Sequence, residues 1–214
     1  MKKLNKITAG LACLALSAGV VAQGVTDDEV LLGTSTALSG PAALWGVAAS
    51  QAAQIRFDMV NENGGVHGRQ IRVVLEDHQY QVPIHVKAMN KLLNLDKVFA
   101  TFNVLGTPMN LATAETQFAK NVPMLLPMTT AHSVQDPEHD LKLTFGSSYS
   151  NQIRFAVGHF LATGRTSACV MYQDSAYGAE VLEAVTDEVA EHGGVSLVSS
   201  VSHKPTATEF VGAM

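Results

Sequence analysis

Cysteine is almost missing from this chain. There are two, Cys13 and Cys169. The first falls in a leader-like segment, which leaves one, and a lone thiol makes no internal disulfide. Cys169 sits in the strand-like run Ser167-Ala168-Cys169-Val170-Met171-Tyr172, where a buried structural thiol is expected rather than a reactive one. Positive charge is scarce as well: 14 Lys and Arg face 19 Asp and Glu, for a net charge of −5. The first 22 residues hold three lysines and no acid, so the rest of the chain carries about −8. That balance excludes a nucleic-acid partner or an anionic membrane surface. Reaction signatures are absent. No phosphate-binding G-x-x-x-x-G-K-[ST], dinucleotide G-x-G-x-x-G or nucleophile-elbow G-x-S-x-G occurs. The eight histidines show no H-E-x-x-H or H-x-H spacing. No catalytic residue, metal site or cofactor is therefore assigned.

The amino terminus reads as an export signal. Lys2, Lys3 and Lys6 precede an apolar stretch from Ile7 to Val21, and Val20-Val21-Ala22 offers small residues for cleavage after Ala22. The stretch is shorter than the roughly 20 residues of a membrane span. Gly10-Leu11-Ala12 is a poor lipobox before Cys13, so a lipid anchor is not expected. No later segment is apolar and long enough to cross a bilayer. The expected location is periplasmic.

Apolar runs then alternate with helical patterns. Strands are expected at Val30 to Thr36, Gln70 to Glu76, Lys97 to Phe102, Pro123 to Pro127, Leu141 to Phe145, Ser167 to Tyr172 and up to Val201. Between them lie helices from about Leu44 to Asn61, Pro83 to Leu95, Thr107 onward, Tyr149 to Thr163 and Tyr177 to Glu191, with a last one starting at Thr208. Expected inward faces are Ala48, Ala52, Ile55 and Met59 in the first helix, Ala88, Leu92 and Leu95 in the second, and Leu111, Ala114 and Phe118 in the third. The fourth and fifth bury Ile153, Ala156, Val157 and Phe160, then Leu182, Val185 and Val189. Glu191-His192-Gly193-Gly194-Val195 echoes Glu62-Asn63-Gly64-Gly65-Val66. Strict βα alternation implies an α/β fold with parallel sheets. The division expected is a leader over 1–22, a first α/β lobe over 23–146 and a partial second lobe over 147–214, in a chain that reads as truncated.

In such sheets ligands bind beyond the carboxyl ends of the strands. One loop there, Ala37 to Gly46, reads ALSGPAALWG and holds the only tryptophan. Trp45 is either the first core residue of its helix or the wall of a cleft. Thr107 fits a helix cap or an anion grip, with Thr129 and Thr130 adding hydroxyls. Tyr177 opens the equivalent loop of the second unit, and Tyr80 reads as a surface or packing residue. Two polar clusters, Glu76-Asp77-His78 and His132, Asp136, His139, Asp140, read as solvated loops, although the first could serve acid–base chemistry in a secreted enzyme.

The order and spacing of Glu29-Val30-Leu31-Leu32-Gly33, Leu38-Ser39-Gly40-Pro41, Trp45-Gly46, Asn63-Gly64-Gly65-Val66-His67-Gly68-Arg69, Asp77-His78-Gln79-Tyr80, Leu105-Gly106-Thr107 and Tyr172-Gln173-Asp174-Ser175-Ala176-Tyr177-Gly178 resemble the leucine/isoleucine/valine-binding family. These are type I periplasmic solute-binding proteins of ATP-driven (ABC) importers, and the resemblance covers residues 28 to 214. It implies two doubly wound parallel-sheet lobes, the second truncated here, that close on a branched-chain amino acid or a related small carboxylate or amide. It further implies a monomer that docks on an inner-membrane ABC permease, or a sensory domain of the same fold. By position, Thr107 and Thr130 take hydroxyl roles, Met128 a backbone role, Trp45 the aromatic wall and Tyr177 the closing aromatic. Met128 departs from the small residue usual there. The first-lobe disulfide of some members is absent, and the second-lobe acid for the ligand ammonium is expected beyond Met214.

Overall fold

The computed structural model describes residues 22–136 and 138–211. Most of the segment expected to be an export signal, and the tail from residue 212, lie outside them. Among the described residues no helix is long and apolar enough to cross a membrane.

The first strand, β1 (Glu29–Thr36), is the axis of a five-stranded parallel sheet. Its neighbours are β2 (Gln70–Asp77) on one side and β3 (Ala100–Phe102), β4 (Met124–Leu125) and β5 (Lys142–Leu143) on the other, in the order β2-β1-β3-β4-β5. The chain leaves β1 through α1 (Ala43–Glu62), reaches β2, and crosses back through α2 (Val82–Lys91) to β3. The direction of winding therefore reverses between β1 and β3, and the loops leaving those strands diverge to open a crevice. Helix α1 covers one face, with Ala53 and Phe57 on Leu32, Ala100 and Phe102. Helix α2 and α3 (Thr107–Phe118) cover the other, with Met89 against Leu31 and Phe118 against Met124.

A one-turn helix α4 (His132–Gln135) follows β4, in a segment expected to be loop. After β5 the chain enters α5 (Tyr149–Leu161) and a second parallel pair, β6 (Ser167–Gln173) and β7 (Ser196–His203), joined by α6 (Ala176–His192). Leu161, Val170, Val185 and Val189 form the core of this unit. Both helices take one face of the pair. Cys169 therefore stands on the uncovered face and is exposed, not the buried thiol expected. Phe160 and Ala156 of α5 also face out, while Ile153 and Val157 pack inward. Residues 208–210 carry no regular structure, so the helix expected from Thr208 does not start there.

Helix faces differ from expectation for physical reasons. Helix α1 carries two apolar stripes. The stripe with Phe57 goes inward because that ring meets Phe102 edge-on at 5.3 Å. The stripe of Ala48, Ala52, Ile55 and Met59 is turned to solvent, with Ile55 63% exposed. After α2 the helix widens into a π turn, Leu92–Asp96. Its longer hydrogen-bond period rotates Leu95 outward and buries Leu92 and Leu93. Lys97 then takes a left-handed conformation, which delays the third strand to Ala100. Helix α3 buries a polar row. Asn110 donates to the Val104 and Gly106 carbonyls, and Gln117 to Thr101 Oγ1 and the Pro123 carbonyl. Leu111 lies outside.

Candidate ligand-binding cleft

The loop after β1 is built by the end of β2. The Asp77 carboxylate accepts from the Leu38 amide at 2.9 Å, the Ser39 hydroxyl at 2.6 Å and the Gln79 amide at 2.9 Å. Burial opposes its ionisation, but those hydrogen bonds together draw its pKa below the usual carboxylate value. His78 is wholly buried. Its Nδ1 accepts the Tyr80 amide at 2.9 Å, so Nε2 carries the proton and donates to the Leu105 carbonyl at 3.1 Å. Gln79 and Tyr80 both stand at positive φ, 54° and 57°, a region disfavoured for side-chain-bearing residues. Asp77 and His78 hold that strained pair by its two amides and so turn the Tyr80 ring toward the crevice. Within the Glu76-Asp77-His78 cluster, Asp77 and His78 fasten three loops together rather than forming a solvated loop, while Glu76 pairs with Lys91 at 2.7 Å.

Glycine completes the entry to α1. A Cβ on Gly46 would overlap the Ala37 carbonyl oxygen, so only glycine lets the first turn of α1 settle on the end of β1. Trp45, the residue before it, is 66% exposed at the crevice mouth and is not a core residue. The second unit repeats the arrangement. Ser175 caps α6 by accepting the Gly178 amide, and a Cβ on Gly178 would overlap the Gln173 carbonyl at the end of β6. Tyr177 precedes that glycine.

On the first-unit floor, Gly106 caps α3 and Thr107 is its first residue, followed by Pro108. Thr107 makes no cap with its side chain. Its hydroxyl is buried and lies 2.8 Å from Thr129 Oγ1, which also accepts the Ala131 amide. The Thr130 hydroxyl accepts from Gln152 Nε2 at 3.2 Å, leaving its own proton to donate. Among the described residues, the Thr107 and Thr130 amides have no protein acceptor. The Met128 amide is spent on the Val104 carbonyl and its carbonyl accepts from Gly106, so the thioether and a remaining carbonyl lone pair are what Met128 offers.

These groups share one cavity of about 840 Å³ between the two units, within the range of small-molecule sites. Trp45, Thr107, Met128, Thr130 and Tyr177 all line it. So do Thr129, which the sequence offered as a hydroxyl of the anion grip, and Tyr80, Phe145, Tyr149 and Gln152, which it did not single out as contacts with the ligand. Tyr149 and Gln152 stand in the first turn of α5, next to the crossing between units, and that position was the available signal. Tyr149 meets Tyr177 edge-on at 4.9 Å. The Tyr80 hydroxyl interacts with Gln173 of the second unit, and burial raises its pKa, as it does for Tyr177. Both phenols are neutral donors. No charged side chain lines the cavity among the described residues. Among them no group of His, Cys, Asp and Glu is arranged to hold a metal.

The units are tied by Glu180 of α6. Its buried carboxylate accepts the His132 amide at 2.9 Å, and the Ser150 amide and hydroxyl at 3.0 and 2.9 Å. It thus caps α4 in one unit and α5 in the other.

A switch-point crevice faced by a second α/β unit is the arrangement of a solute receptor. Residues 29–214 match the family described as periplasmic binding protein. The chain belongs to the periplasmic binding protein family. Its fold is that of the type I members. Solved structures agree. A substrate-binding periplasmic protein from Ralstonia solanacearum is 26% identical, with a TM-score of 0.79 over 86% of this chain and 52% of that one. A fatty acid ABC transporter substrate-binding protein from Thermomonospora curvata is 25% identical, with a TM-score of 0.81 over 90% and 49%. A possible leucine/isoleucine/valine-binding protein from Rhodopirellula baltica is 18% identical, with a TM-score of 0.77 over 89% and 52%. The chain therefore spans about half the length of these structures. The family is one of binding proteins rather than enzymes, and its name implies an extracytoplasmic place.

Proposed function

We propose that this chain is the solute-capturing part of a periplasmic receptor for an ABC importer. The observation that carries the reading is the cluster of Thr107, Thr129 and Thr130, buried at the switch point and facing Tyr177 across one cavity. Two hydroxyls, two unpaired amides and the amino end of α3 suit the carboxylate or amide of a small solute, branched-chain amino acids included. Trp45 and Tyr177 wall the solute from the two sides. Residues 23–146 act as one lobe and 147–214 as part of the other. Capture is a shift from open to closed, driven by contacts available only when both walls meet the ligand. The protein works as an exported monomer whose leader is removed, and its closed form docks on a permease in the inner membrane. No cofactor or covalent step takes part.

The test is equilibrium binding of amino acids, amides and carboxylates, followed by thermal shift and by fluorescence of Trp45, the chain's only tryptophan. A true ligand at about 100 times its dissociation constant stabilises the folded state by about 2.7 kcal/mol. The combined substitution Thr107→Val and Thr130→Val abolishes that shift while the fold persists. A panel in which nothing binds, or a ligand indifferent to both threonines, refutes the reading.

A further inference from the structure

We infer that the cleft selects a carboxylate whose body is an aromatic ring, over the branched aliphatic bodies of the family's familiar ligands. The inference rests on the solute-receptor reading above and narrows it.

The chain holds four tyrosines and one tryptophan. Three of those tyrosines, Tyr80, Tyr149 and Tyr177, and the tryptophan line this single cavity, joined by Phe145. Such convergence from five separate elements is not a by-product of packing, because the rings do not fill one another's surfaces. Trp45 is 66% exposed and Phe145 48%, while all three tyrosines stay partly open. Only Tyr149 and Tyr177 are in mutual ring contact, edge to face. All five rings line the cavity, so part of their uncovered surface forms its wall. A planar ring there can stack offset on one neighbour and meet another edge-on, as aromatic pairs prefer. Met128 adds a polarisable sulfur to the same wall, a favourable neighbour for a ring. By contrast, Leu105 is the one branched aliphatic side chain in the lining. A leucine-like body would touch mostly ring surface and leave it poorly matched.

The polar floor is compatible with this. Carboxylate recognition by Thr107, Thr129 and Thr130 at one end leaves the aromatic end of the solute to the rings. The neutral tyrosine hydroxyls with Gln152 and Gln173 can receive a ring hydroxyl. Asp77 and Glu180, which brace the walls, do not line the cavity and are each engaged by three protein donors.

The experiment is isothermal titration of the intact protein with two matched pairs. The pairs are 3-phenylpropanoate against 4-methylpentanoate, and phenylalanine against leucine. Within each pair the head group is constant and only the body changes. The aromatic member of at least one pair binds about tenfold tighter than its aliphatic partner. Which pair shows the effect tells whether the bound carboxylate carries an ammonium group. In Tyr177→Leu, and separately in Tyr149→Leu, that ratio falls toward one, because the aromatic partner loses more affinity than the aliphatic one. Circular dichroism and urea midpoints establish that each variant is folded, and either variant alone suffices. Aliphatic members binding as tightly as aromatic ones, or a ratio unchanged in both tyrosine variants, overturns the inference. In that case the threonine-dependent capture of carboxylates still stands. Absence of all binding refutes the receptor reading itself, so the two failures are distinct.

Discussion

Acid is the perturbation that most directly probes how the cleft is held. His85 of α2 is wholly buried beneath it, with Nδ1 3.1 Å from Ser35 Oγ and Nε2 3.0 Å from Thr113 Oγ1. The ring of His78 lies 5.6 Å away, itself packed between Asp77, Tyr80 and Leu105. Burial first, and the neighbouring His78 second, bring the His85 pKa down from 6.5 to about 3. Burial lowers His78 too. The unfolded chain thus takes up protons below about pH 6.5 that the folded chain refuses. The stabilisation is complete above that pH and is lost as pH falls toward the folded pKa. Across this window a single group loses about 1.4 kcal/mol per pH unit, so His85 alone removes about 2 kcal/mol between pH 7.5 and pH 5. His78 adds to the loss with the same sign. Asp77 does not interfere, because its pKa is held below 3.8 and its contribution is lost only as pH falls through that lower value.

Urea unfolding followed by circular dichroism at several pH values in that range measures the slope. The informative comparison is His85→Gln, which removes one titrating group but keeps a donor and an acceptor for Ser35 and Thr113. Its stability at neutral pH falls, yet its pH slope is shallower than the parent's by about 1.4 kcal/mol per unit. Equal slopes in parent and variant, or a parent whose stability is flat over the window, would refute the assignment of buried neutral histidines.

Two further outcomes follow from named contacts. Glu180→Ala strands three donors at the junction of the units and costs about 2–3 kcal/mol in urea unfolding, well above the cost of Ser150→Ala, which spares the two backbone donors. Asp77→Ala releases both the Leu38–Ser39 loop and Gln79, costs about 1–2 kcal/mol because the carboxylate is partly solvated, and weakens solute binding through Tyr80 without touching the solute.

What the sequence disclosed was what local chemistry decides. Glycine, proline and period marked the elements, the rule that ligands meet the carboxyl ends of parallel strands brought forward Trp45, Thr107, Thr129, Thr130 and Tyr177, and the family resemblance added Met128; all six line one cavity. What it hid was what distant partners decide. The inward face of α1 turns on Phe102, outside the helix altogether. Asn110, Thr113 and Gln117 face inward on α3 only because His85, Thr101 and the Val104, Gly106 and Pro123 carbonyls are there to receive them. The sense of Asp77 and His78 depends on loops 39 and 27 residues away.

Trp45-Gly46 and Tyr177-Gly178 bring the two kinds of information together. Each glycine stands in the first turn of the helix that leaves a strand, where a side chain would strike the carbonyl at that strand's end. Close docking of that turn fixes the helix entry, and with it the direction of the residue just before the glycine. An aromatic placed there is aimed past the strand end, into the space between the units, rather than back into the core. Because both units use the device, their two rings approach the same cavity from opposite walls. The lone indole at a Ser-Gly-Pro junction is therefore half of a matched pair, and its partner is Tyr177. An aromatic wall on each side needs only a flat solute between them, which is why the aromatic-over-aliphatic ratio is the quantity on which the reading of this cleft turns.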